Sequence, residues 1–308
     1  MGLEDHKMKV FCTVAETKSF SKTSEIVHLT QPAVSLQIQA LEEYYETKLF
    51  DRTSNSITLS PAGEVLYKYA KYILALYAAA EKEIGKITGH TKGSVTIGAS
   101  TTIGNHILPS VILSFKKAYP KIKINVYIEN TKKIMDLLNT GTIEIGLVEG
   151  EMSKYKVTLD PIIQDELFVI VSPQHPWAKR KTISIAELSK EPFIFREEGS
   201  GTRQVTEKYF SSHGIKMRDI HLNITLGSTE AIKEAVESGI GVSIVSKWVA
   251  RKEVKYGNLI MLGIKEGRMV SNFHLVMNKN AILSHAVTEF ISFMKTYPYE
   301  NLLKDYFL

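Results

Sequence analysis

Cysteine is nearly absent from this chain, and several kinds of site are excluded with it. Cys12 is the single cysteine, so no disulfide can form within the chain. Its place on the apolar side of a helical pattern favours a core residue over a reactive thiol. The nine histidines are scattered without metal-ligand spacing or cysteine partners, and we expect no metal site and no cofactor.

Long apolar runs are also missing, and we expect no secretory signal. No run approaches the roughly eighteen apolar residues of a membrane span, and the polar start from Met1 to Lys9 does not suit a signal peptide. We therefore expect a cytoplasmic protein without a membrane partner. A length of 308 residues exceeds one comfortable core, which predicts more than one domain.

A short amphipathic helix is predicted to begin at Thr30. The Thr30 hydroxyl can cap this helix, and Pro32 is tolerated in a first turn, where the backbone N–H has no partner anyway. Val34, Ile38 and Leu41 recur at helical spacing and form one buried stripe. The other faces carry Gln31, Ser35, Leu36, Gln37 and Gln39. Gln and Ser side chains are suited to reading base edges.

Two further short helices are predicted before this one. Met8, Phe11 and Val14 form a first stripe, residues 19–21 resemble a turn and cap, and residues 22–29 favour a second helix. Three short helices in about forty residues are typical of a helix-turn-helix, whose later helix enters the major groove. The same pattern also fits an ordinary three-helix bundle.

The next segment favours the DNA-binding alternative. Residues 49–52 and 57–59 alternate like two strands around the polar run 53–56, which predicts a β-wing with Arg52 placed to meet phosphate. The predicted DNA-binding residues are Ser21, Thr30, Gln31, Pro32, Ser35, Leu36, Gln37, Gln39, Arg52 and Thr53.

Residues 3–63 resemble the DNA-binding domain of LysR-type transcriptional regulators. The matching residues are Phe11, Glu16, Ser19-Phe20, Gln31-Pro32-Ala33-Val34-Ser35, Ile38, Leu41-Glu42, Leu49-Phe50, Arg52, Leu59 and Ala62-Gly63. The resemblance implies a winged helix that binds an interrupted inverted repeat in promoter DNA, and a C-terminal domain that senses a small molecule. It also implies RNA polymerase as a partner.

The chain departs from this family pattern at several positions. Thr23-Ser24 stands where the family usually has an Ala pair, and Leu36, Gln39 and Asn55 stand where Arg is frequent. Residues 1–60 hold six Lys or Arg and eight Asp or Glu, a net charge of −2. Few cations predict few phosphate contacts, and therefore weak DNA binding by one subunit with a shallow salt dependence. Two DNA-binding domains that bind the two halves of one repeat together would supply the missing affinity.

A long helix that could pair two subunits follows at residues 61–92. Leu66, Tyr69, Ile73, Leu76, Ala80, Ile84 and Ile87 recur at alternating spacings of three and four. A sustained stripe of this kind predicts a coiled-coil seam with the same helix of a second chain, although packing within the chain is an alternative. We expect a homodimer, and a tetramer if the C-terminal domain adds a second interface. Tyr67, Tyr72 and Tyr77 fall mostly outside this seam and are available to pack on the winged helix.

Strands and helices alternate from residue 93 onward, after a predicted hinge at 89–94. This βαβαβ order predicts a parallel, doubly wound sheet with ligands at the carboxyl ends of its strands. A second round from about residue 164 predicts a second lobe, and the tail returns to the first. We expect lobe I at about 93–163 and 267–308, and lobe II at about 164–266. The two lobes resemble the type 2 periplasmic-binding-protein clamp of LysR effector domains.

Hydroxyl-rich turns follow strands in both predicted lobes. Such turns offer hydroxyls and free helix-start N–H groups, which suit a small oxyanion or short carboxylate, although plain helix capping would explain either turn alone. The predicted ligand-binding residues are Ser100, Thr101, Thr102, Val148, Glu149, Gly199, Ser200, Gly201, Thr202, Arg203, Gly227 and Ser228. Arg196 or Arg203 could balance a carboxylate, and Arg203 could instead cap Glu197 or Glu198.

Two function classes remain open at this point. The first is a ligand-gated transcription factor, and its hydroxyl run at 100–102 is similar to that of family members governing inorganic sulfur metabolism. The second is a solute-binding or transferase-like clamp with a vestigial DNA-binding head. Residues 199–201 read only Gly-Ser-Gly, without the G-x-S-x-G of a nucleophile elbow, so we expect no catalytic residue. The sequence leaves the effector, the target operon and the sign of regulation open.

Overall fold

The computed structural model describes residues 6–27, 29–53, 56–88, 93–279, 281 and 283–303. The N-terminal head begins with α1 (His6–Thr17), α2 (Phe20–Ile26) and α3 (Gln31–Tyr44). The Ser19 hydroxyl accepts from the Lys22 N–H and the Thr30 hydroxyl from the Ala33 N–H, so the predicted caps begin α2 and α3. The helix expected at 22–29 instead starts at Phe20, directly after its cap.

The predicted wing is present as an antiparallel pair, β1 (Phe50–Thr53) and β2 (Ser56–Leu59). Its tip and the side chains of Arg52 and Thr53 lie outside the described residues. Phe50 joins the wing to the helices, because its ring packs 5.3 Å from Phe11 and 6.2 Å from Phe20, centroid to centroid. Cys12 lies in this core, where burial raises the pKa of its thiol to about 12. A buried thiol with a raised pKa is an unreactive core residue.

The long helix α4 (Pro61–Thr88) follows the wing. Ala70 and Leu74 are buried against the head, and Leu66 and Tyr67 pack there too. The exposed apolar residues form a separate stripe: Val65, Tyr69, Tyr72, Leu76 and Ile84.

This stripe differs from the predicted seam by a small rotation. Leu66 faces the head, Ile73 is half-buried, and Tyr72 lies on the exposed stripe although it was expected outside it. The head occupies one side of the helix and leaves the neighbouring side exposed. The side chain of Ile87 and the hinge residues 89–92 lie outside the described part of the chain.

Lobe I begins with β3 (Gly93–Ser100), α5 (Thr101–His106), α6 (Leu108–Ala118), β4 (Ile122–Glu129), α7 (Thr131–Asn139) and β5 (Ile145–Val148). β3 lies between β4 and β5 and pairs parallel with both, as the βαβαβ order predicts. The helix α5 was not expected, and it starts directly after Ser100.

The remaining elements are β6 (Val157–Val171), β7 (Thr182–Ile183), α8 (Ile185–Leu188), β8 (Phe193–Arg196), α9 (Gly201–Ser212), β9 (Leu222–Leu226), α10 (Thr229–Glu237), β10 (Ser243–Ser246), α11 (Lys247–Tyr256), β11 (Ile260–Ile264), β12 (Met269–Asn278) and α12 (His285–Thr296). Short 3₁₀ turns lie at Met217–Asp219 and Tyr299–Leu302. Elements β7 to β11 form lobe II, and α12 packs on lobe I.

The two lobes share one mixed sheet in the order β4-β3-β5-β12-β6-β11-β7, with β10 also on β6. A wholly parallel sheet was expected, and this is corrected: β12 runs antiparallel to β5 and β6, and β6 runs antiparallel to β10 and β11. The long strand β6 serves lobe I with its first part and lobe II with its last five residues. The crossing strands therefore belong to both lobes, and the exact lobe bounds stay a prediction.

The helix α11 also links the lobes. Trp248 lies in the lobe I core beside Phe273 and Phe290, whereas Val249 and Ala250 of the same helix lie in a lobe II cluster. No helix in the described ranges combines the length and apolar character that crossing a membrane requires.

Candidate functional site

The helix α3 presents the predicted base-reading residues at the surface of the head. Gln31, Pro32, Leu36 and Gln39 are exposed, and Ser35 and Gln37 are half-buried. Ser21 and Thr30 are also exposed. Val34, Ile38 and Leu41 are buried, so the predicted stripe is the core side of this helix.

Some of these polar side chains already contact neighbours in the head. The Gln31 Nε2 donates to the Ser35 hydroxyl at 3.4 Å, and the Gln37 Oε1 lies 3.2 Å from the His6 Nδ1. The Gln39 Nε2 donates to the Glu43 carboxylate at 2.7 Å. Glu43 therefore places a negative charge beside Gln39, at a position where the family frequently has Arg.

A buried carboxylate connects α3 to the wing. The Glu42 Oε1 accepts from the N–H groups of Leu49 (2.9 Å) and Phe50 (3.4 Å), and its Oε2 lies 3.0 Å from the Lys48 ammonium. Burial raises the pKa of Glu42, but these N–H groups and Lys48 outweigh burial and leave the pKa below its ordinary value. Glu42 therefore stays charged and holds the start of the wing on α3, which we call the reading helix.

The hydroxyls predicted to bind an anion converge from both lobes. The Ser100 and Thr102 hydroxyls of lobe I donate to Glu149 at 3.4 and 3.2 Å, and the Thr202 hydroxyl of lobe II donates to it at 2.9 Å. We call Ser100, Thr102 and Thr202 the hydroxyl cradle. Two of its members, Thr102 and Thr202, meet at the same Glu149 Oε1 although they come from opposite lobes.

The cradle is thus filled by a carboxylate of the chain itself. Glu149 is only 4% exposed, and Gly201 lies so close that a Cβ there would meet the Glu149 carbonyl oxygen at 2.3 Å. Burial raises the pKa of Glu149 more than the hydroxyls and Arg196 lower it. Ser100 precedes α5 without capping it, because its hydroxyl points to Glu149 instead.

Arg196 forms a second connection between the lobes. Its Nη1 donates to Thr229 at 2.8 Å and to Thr101 of lobe I at 3.2 Å. Its Nε and Nη2 bond the Glu197 carboxylate at 2.8 and 3.0 Å. The side chain of Arg196 is 4% exposed, so this guanidinium is committed to the lobe interface.

Further polar contacts close the cleft. The Asn130 Nδ2 of lobe I donates to Glu197 at 3.1 Å, and the Lys132 N–H donates to the Gly199 carbonyl at 3.1 Å. Behind the cradle, the buried Asp165 of β6 accepts from the Ser246 hydroxyl at 2.9 Å. Burial, together with the nearby charge of Glu149, raises the pKa of Asp165 to about 8.

Several predicted ligand residues lie away from the cradle. Val148 is fully buried in a lobe I core cluster with Ile134 and Met152. Ser228 is exposed and caps α10, whereas its neighbour Thr229 points into the cleft. Gly227 is exposed too, and a Cβ there would meet nothing within 4 Å.

The rest of the predicted loop in lobe II has structural contacts. Ser200 caps α9 by accepting from the Arg203 N–H. Arg203 was expected to balance a ligand carboxylate, which stays a prediction, or to cap Glu197 or Glu198, and its described bonds go to neither of these glutamates. Its Nε bonds Glu207 at 2.7 Å and its Nη1 donates to the Arg196 carbonyl, so it supports the loop from behind.

The sequence did not reveal that Glu149, Arg196, Glu197 and Asn130 bond across the lobes. One signal was available: Glu149 is an acid directly after the buried strand 145–148, at the ligand edge of a parallel sheet. The bonds that Arg196 and Glu197 of lobe II form with lobe I had no such signal, because they depend on how the two lobes meet.

A cavity of about 480 Å³ opens next to the cradle, between α9 and β12. Gly150, Gln204, Lys208, Tyr209, Met269 and His274 are among its lining residues. No three His, Cys, Asp or Glu side chains in the described part of the chain are grouped to hold a metal ion.

Comparisons with known proteins place the chain in one family. Residues 6–64 match the family model of the bacterial regulatory helix-turn-helix protein, lysR family, and residues 88–298 match the LysR substrate binding domain. The HTH-type transcriptional regulator CysL of Bacillus subtilis is 34% identical over 300 residues, which cover 96% of this chain and 98% of CysL.

Two solved structures show the same architecture. The regulatory domain of Synechocystis PCC6803 CcmR, solved in complex with 2-PG, is 26% identical, with a TM-score of 0.61 over 66% of this chain and 96% of that domain. Full-length CbnR, solved with its target DNA, is 20% identical, with a TM-score of 0.57 over 95% of this chain and 99% of CbnR. The chain belongs to the LysR family and is a ligand-responsive, DNA-binding transcriptional regulator, not an enzyme.

Proposed function

We propose that this regulator binds an interrupted inverted repeat in promoter DNA as a homodimer and responds to a small anion held between its lobes. Binding of the anion changes how the lobes meet, and so changes the spacing of the paired heads on DNA. RNA polymerase is the partner whose action at the promoter responds to this change in spacing. The alternative of a solute-binding or transferase-like clamp with a vestigial head is not favoured by any contact described above.

The exposed start of α3 supports major-groove binding. Gln31, Pro32 and Ser35 lie in its first turns, which is the part of a recognition helix that contacts base edges. Ser21, Thr30, Leu36, Gln37, Gln39, Arg52 and Thr53 complete the proposed DNA-binding set. CbnR, which shares the fold, was solved with its target DNA.

The exposed stripe of α4 supports the dimer. Val65, Tyr69, Tyr72 and Leu76 are 59, 57, 61 and 70% exposed, although they are large apolar residues. Their spacings of four, three and four keep them on one helix face, which is the pattern of a helix that pairs with a copy of itself. A tetramer would need a further interface in the effector domain.

The convergence of the Ser100, Thr102 and Thr202 hydroxyls on a carboxylate carries the proposal for the effector. These hydroxyls already hold the Glu149 carboxylate, so their geometry suits a small oxyanion or a short carboxylate. The hydroxyl run at 100–102, which is similar to that of family members governing inorganic sulfur metabolism, supports a role in sulfur-related metabolism, and one-carbon metabolism is the second possibility. The CcmR regulatory domain, which has the same fold, was solved with 2-PG.

A thermal-shift screen tests this proposal. The full chain is heated with sulfate, thiosulfate, selenite, acetate and common carboxylates. A ligand at a hundredfold over its Kd raises the free energy of unfolding by about 2.7 kcal/mol, which gives a visible shift. We expect the shift to disappear in the Thr102→Ala/Thr202→Ala double variant, whose gel retardation of the upstream intergenic DNA stays intact. If no anion raises the melting temperature, the anion proposal is wrong.

A further inference from the structure

We infer that Glu149 is a tethered competitor of the effector: its carboxylate occupies the hydroxyl cradle in the effector-free protein, and an effector anion binds only by displacing it. This inference rests on the proposed function, because it concerns the same cradle. It adds the residue that sets the concentration at which the regulator responds.

The number of available hydrogens makes the two anions exclusive. A Ser or Thr hydroxyl has one hydrogen to donate. The Ser100, Thr102 and Thr202 hydroxyls all donate to Glu149, at 3.4, 3.2 and 2.9 Å. An effector that takes these hydrogens must therefore take them from Glu149.

The surroundings of Glu149 leave it displaceable. Among the described residues no Lys, Arg or His forms an ion pair with Glu149, in contrast to Glu42, which lies 3.0 Å from the Lys48 ammonium. The groups that bond Glu149 directly are neutral hydroxyls, and burial raises the pKa of Glu149 more than these hydroxyls and the charge of Arg196 lower it, so this buried charge is costly to keep. Release of this carboxylate toward water recovers part of that cost.

The position of Glu149 links displacement to the lobes. Its Oε1 accepts from Thr102 of lobe I and from Thr202 of lobe II, so the carboxylate bridges the same two helix starts that an effector would bridge. A tethered group competes at an effective concentration of the order of millimolar or more. We therefore expect Glu149 to lower the affinity for a free anion at least tenfold.

The test measures sulfate binding by isothermal titration calorimetry on full-length native protein and on Glu149→Ala, Glu149→Gln and Glu198→Ala. Glu198→Ala is the matched control, because Glu198 is an exposed glutamate in the loop before Thr202 and its removal changes the charge by the same amount. We expect Glu149→Ala to bind sulfate at least tenfold more tightly than the native protein. We expect Glu149→Gln, which still fills the cradle without charge, to lie between them, and Glu198→Ala to match the native protein.

The outcomes separate this inference from the proposed function. Equal or weaker sulfate binding by a folded Glu149→Ala overturns the inference, while native sulfate binding leaves the proposed function standing. If Glu149→Ala does not fold, Glu149→Gln decides, because it keeps the shape and one acceptor oxygen. Adding Thr102→Ala and Thr202→Ala to Glu149→Ala must remove the gain, since otherwise sulfate binds elsewhere and the inference is wrong. If neither the native protein nor any variant binds sulfate or the other screened anions, the proposed effector class fails with it.

Discussion

Among the described residues, the head and the effector domain each bury one glutamate, and the two are held in opposite ways. Glu42 accepts from two backbone N–H groups within eight residues along the chain and pairs with Lys48. Glu149 accepts only hydroxyls, one of them from the other lobe. The pKa of Glu42 lies below its ordinary value and that of Glu149 above it.

This difference distinguishes a permanent connection from a conditional one. Backbone N–H groups cannot turn away, so Glu42 holds α3 and the wing together whenever the head is folded. Hydroxyls can rotate, and the Thr202 hydroxyl reaches Glu149 from the other lobe, so this bond depends on how the two lobes meet. The position of α3 therefore depends on bonds within the head, whereas the bonds in the cleft depend on the arrangement of two lobes.

Removal of Glu42 gives the largest expected loss of stability at a fixed pH. Glu42→Ala leaves two buried N–H groups without an acceptor, and we expect the head to lose about 3 kcal/mol of unfolding free energy. Urea denaturation of the full chain followed by far-UV circular dichroism measures this loss, with Glu43→Ala as the exposed neighbouring control. If Glu43→Ala lowers the stability as much as Glu42→Ala, the bonds of Glu42 do not hold the head together, and its contrast with Glu149 is lost.

The second effect extends the comparison to Asp165, the other buried acid of the cleft. Its pKa is raised to about 8, so the folded state holds a proton that the unfolded chain has lost above its ordinary pKa of 3.8. The stabilisation by this proton is complete below that ordinary pKa and is lost as pH rises through the folded pKa of about 8. Its contribution falls by up to about 1.4 kcal/mol per pH unit in this window.

We expect Asp165→Asn to flatten the decline of stability between pH 5 and 8, because an amide has no proton to lose. Denaturation curves at several pH values measure the slope. Asp160 lies on the same strand as Asp165 and forms a half-exposed ion pair with Lys295 of α12, and Asp160→Asn should keep the native slope. Parallel curves for the native protein and Asp165→Asn would contradict the prediction.

The third expected effect is that replacing the buried glutamate by glutamine changes the stability in opposite directions in the two domains. At pH 8 we expect Glu149→Gln to keep or raise the stability of the effector domain, by at most about 1 kcal/mol, because the cost of a buried charge is removed. Glu42→Gln should lower the stability of the head, because the N–H groups and Lys48 favour the charged form. Differential scanning calorimetry of both variants measures the two signs, and a matching sign would break the comparison.

The smallest expected effect concerns the surface charge of α3, the helix that Glu42 holds to the wing. Leu36→Arg restores a cation at an exposed position of α3, and each new phosphate contact should steepen the slope of log K against log salt by about 0.9. Fluorescence anisotropy of the full chain on its promoter DNA at several salt concentrations measures this slope. Leu113→Arg adds the same charge on an exposed site of lobe I and should leave the slope unchanged.

Much of the fold was predictable because it depends on local pattern. The caps at Ser19 and Thr30, the wing and the parallel β3, β4 and β5 were read from residue type and periodicity, and the structure confirms them. The helix α5 and the first part of the fifteen-residue β6 were missed, because neither begins at a turn signal, whereas a strand was expected at 167–171, the last part of β6.

The candidate site divides in the same way. Ser100, Thr102 and Thr202 could be chosen from the sequence, since hydroxyls after buried strands lie at a known edge of the sheet. Ser228, Gly227 and Arg203 could not be told apart from them, because side-chain direction at a helix start depends on the packing of the whole lobe. The bonding of Arg196 to Thr101 joins residues 95 positions apart.

The sequence by itself determined the family, the reading helix and the hydroxyl-rich turns, because these depend on residue types at short spacing. Only the tertiary structure decided what the hydroxyls hold. Glu149 becomes a ligand of the cradle when two lobes bring three hydroxyls around it, and contacts of such long sequence separation leave no periodic trace in the chain.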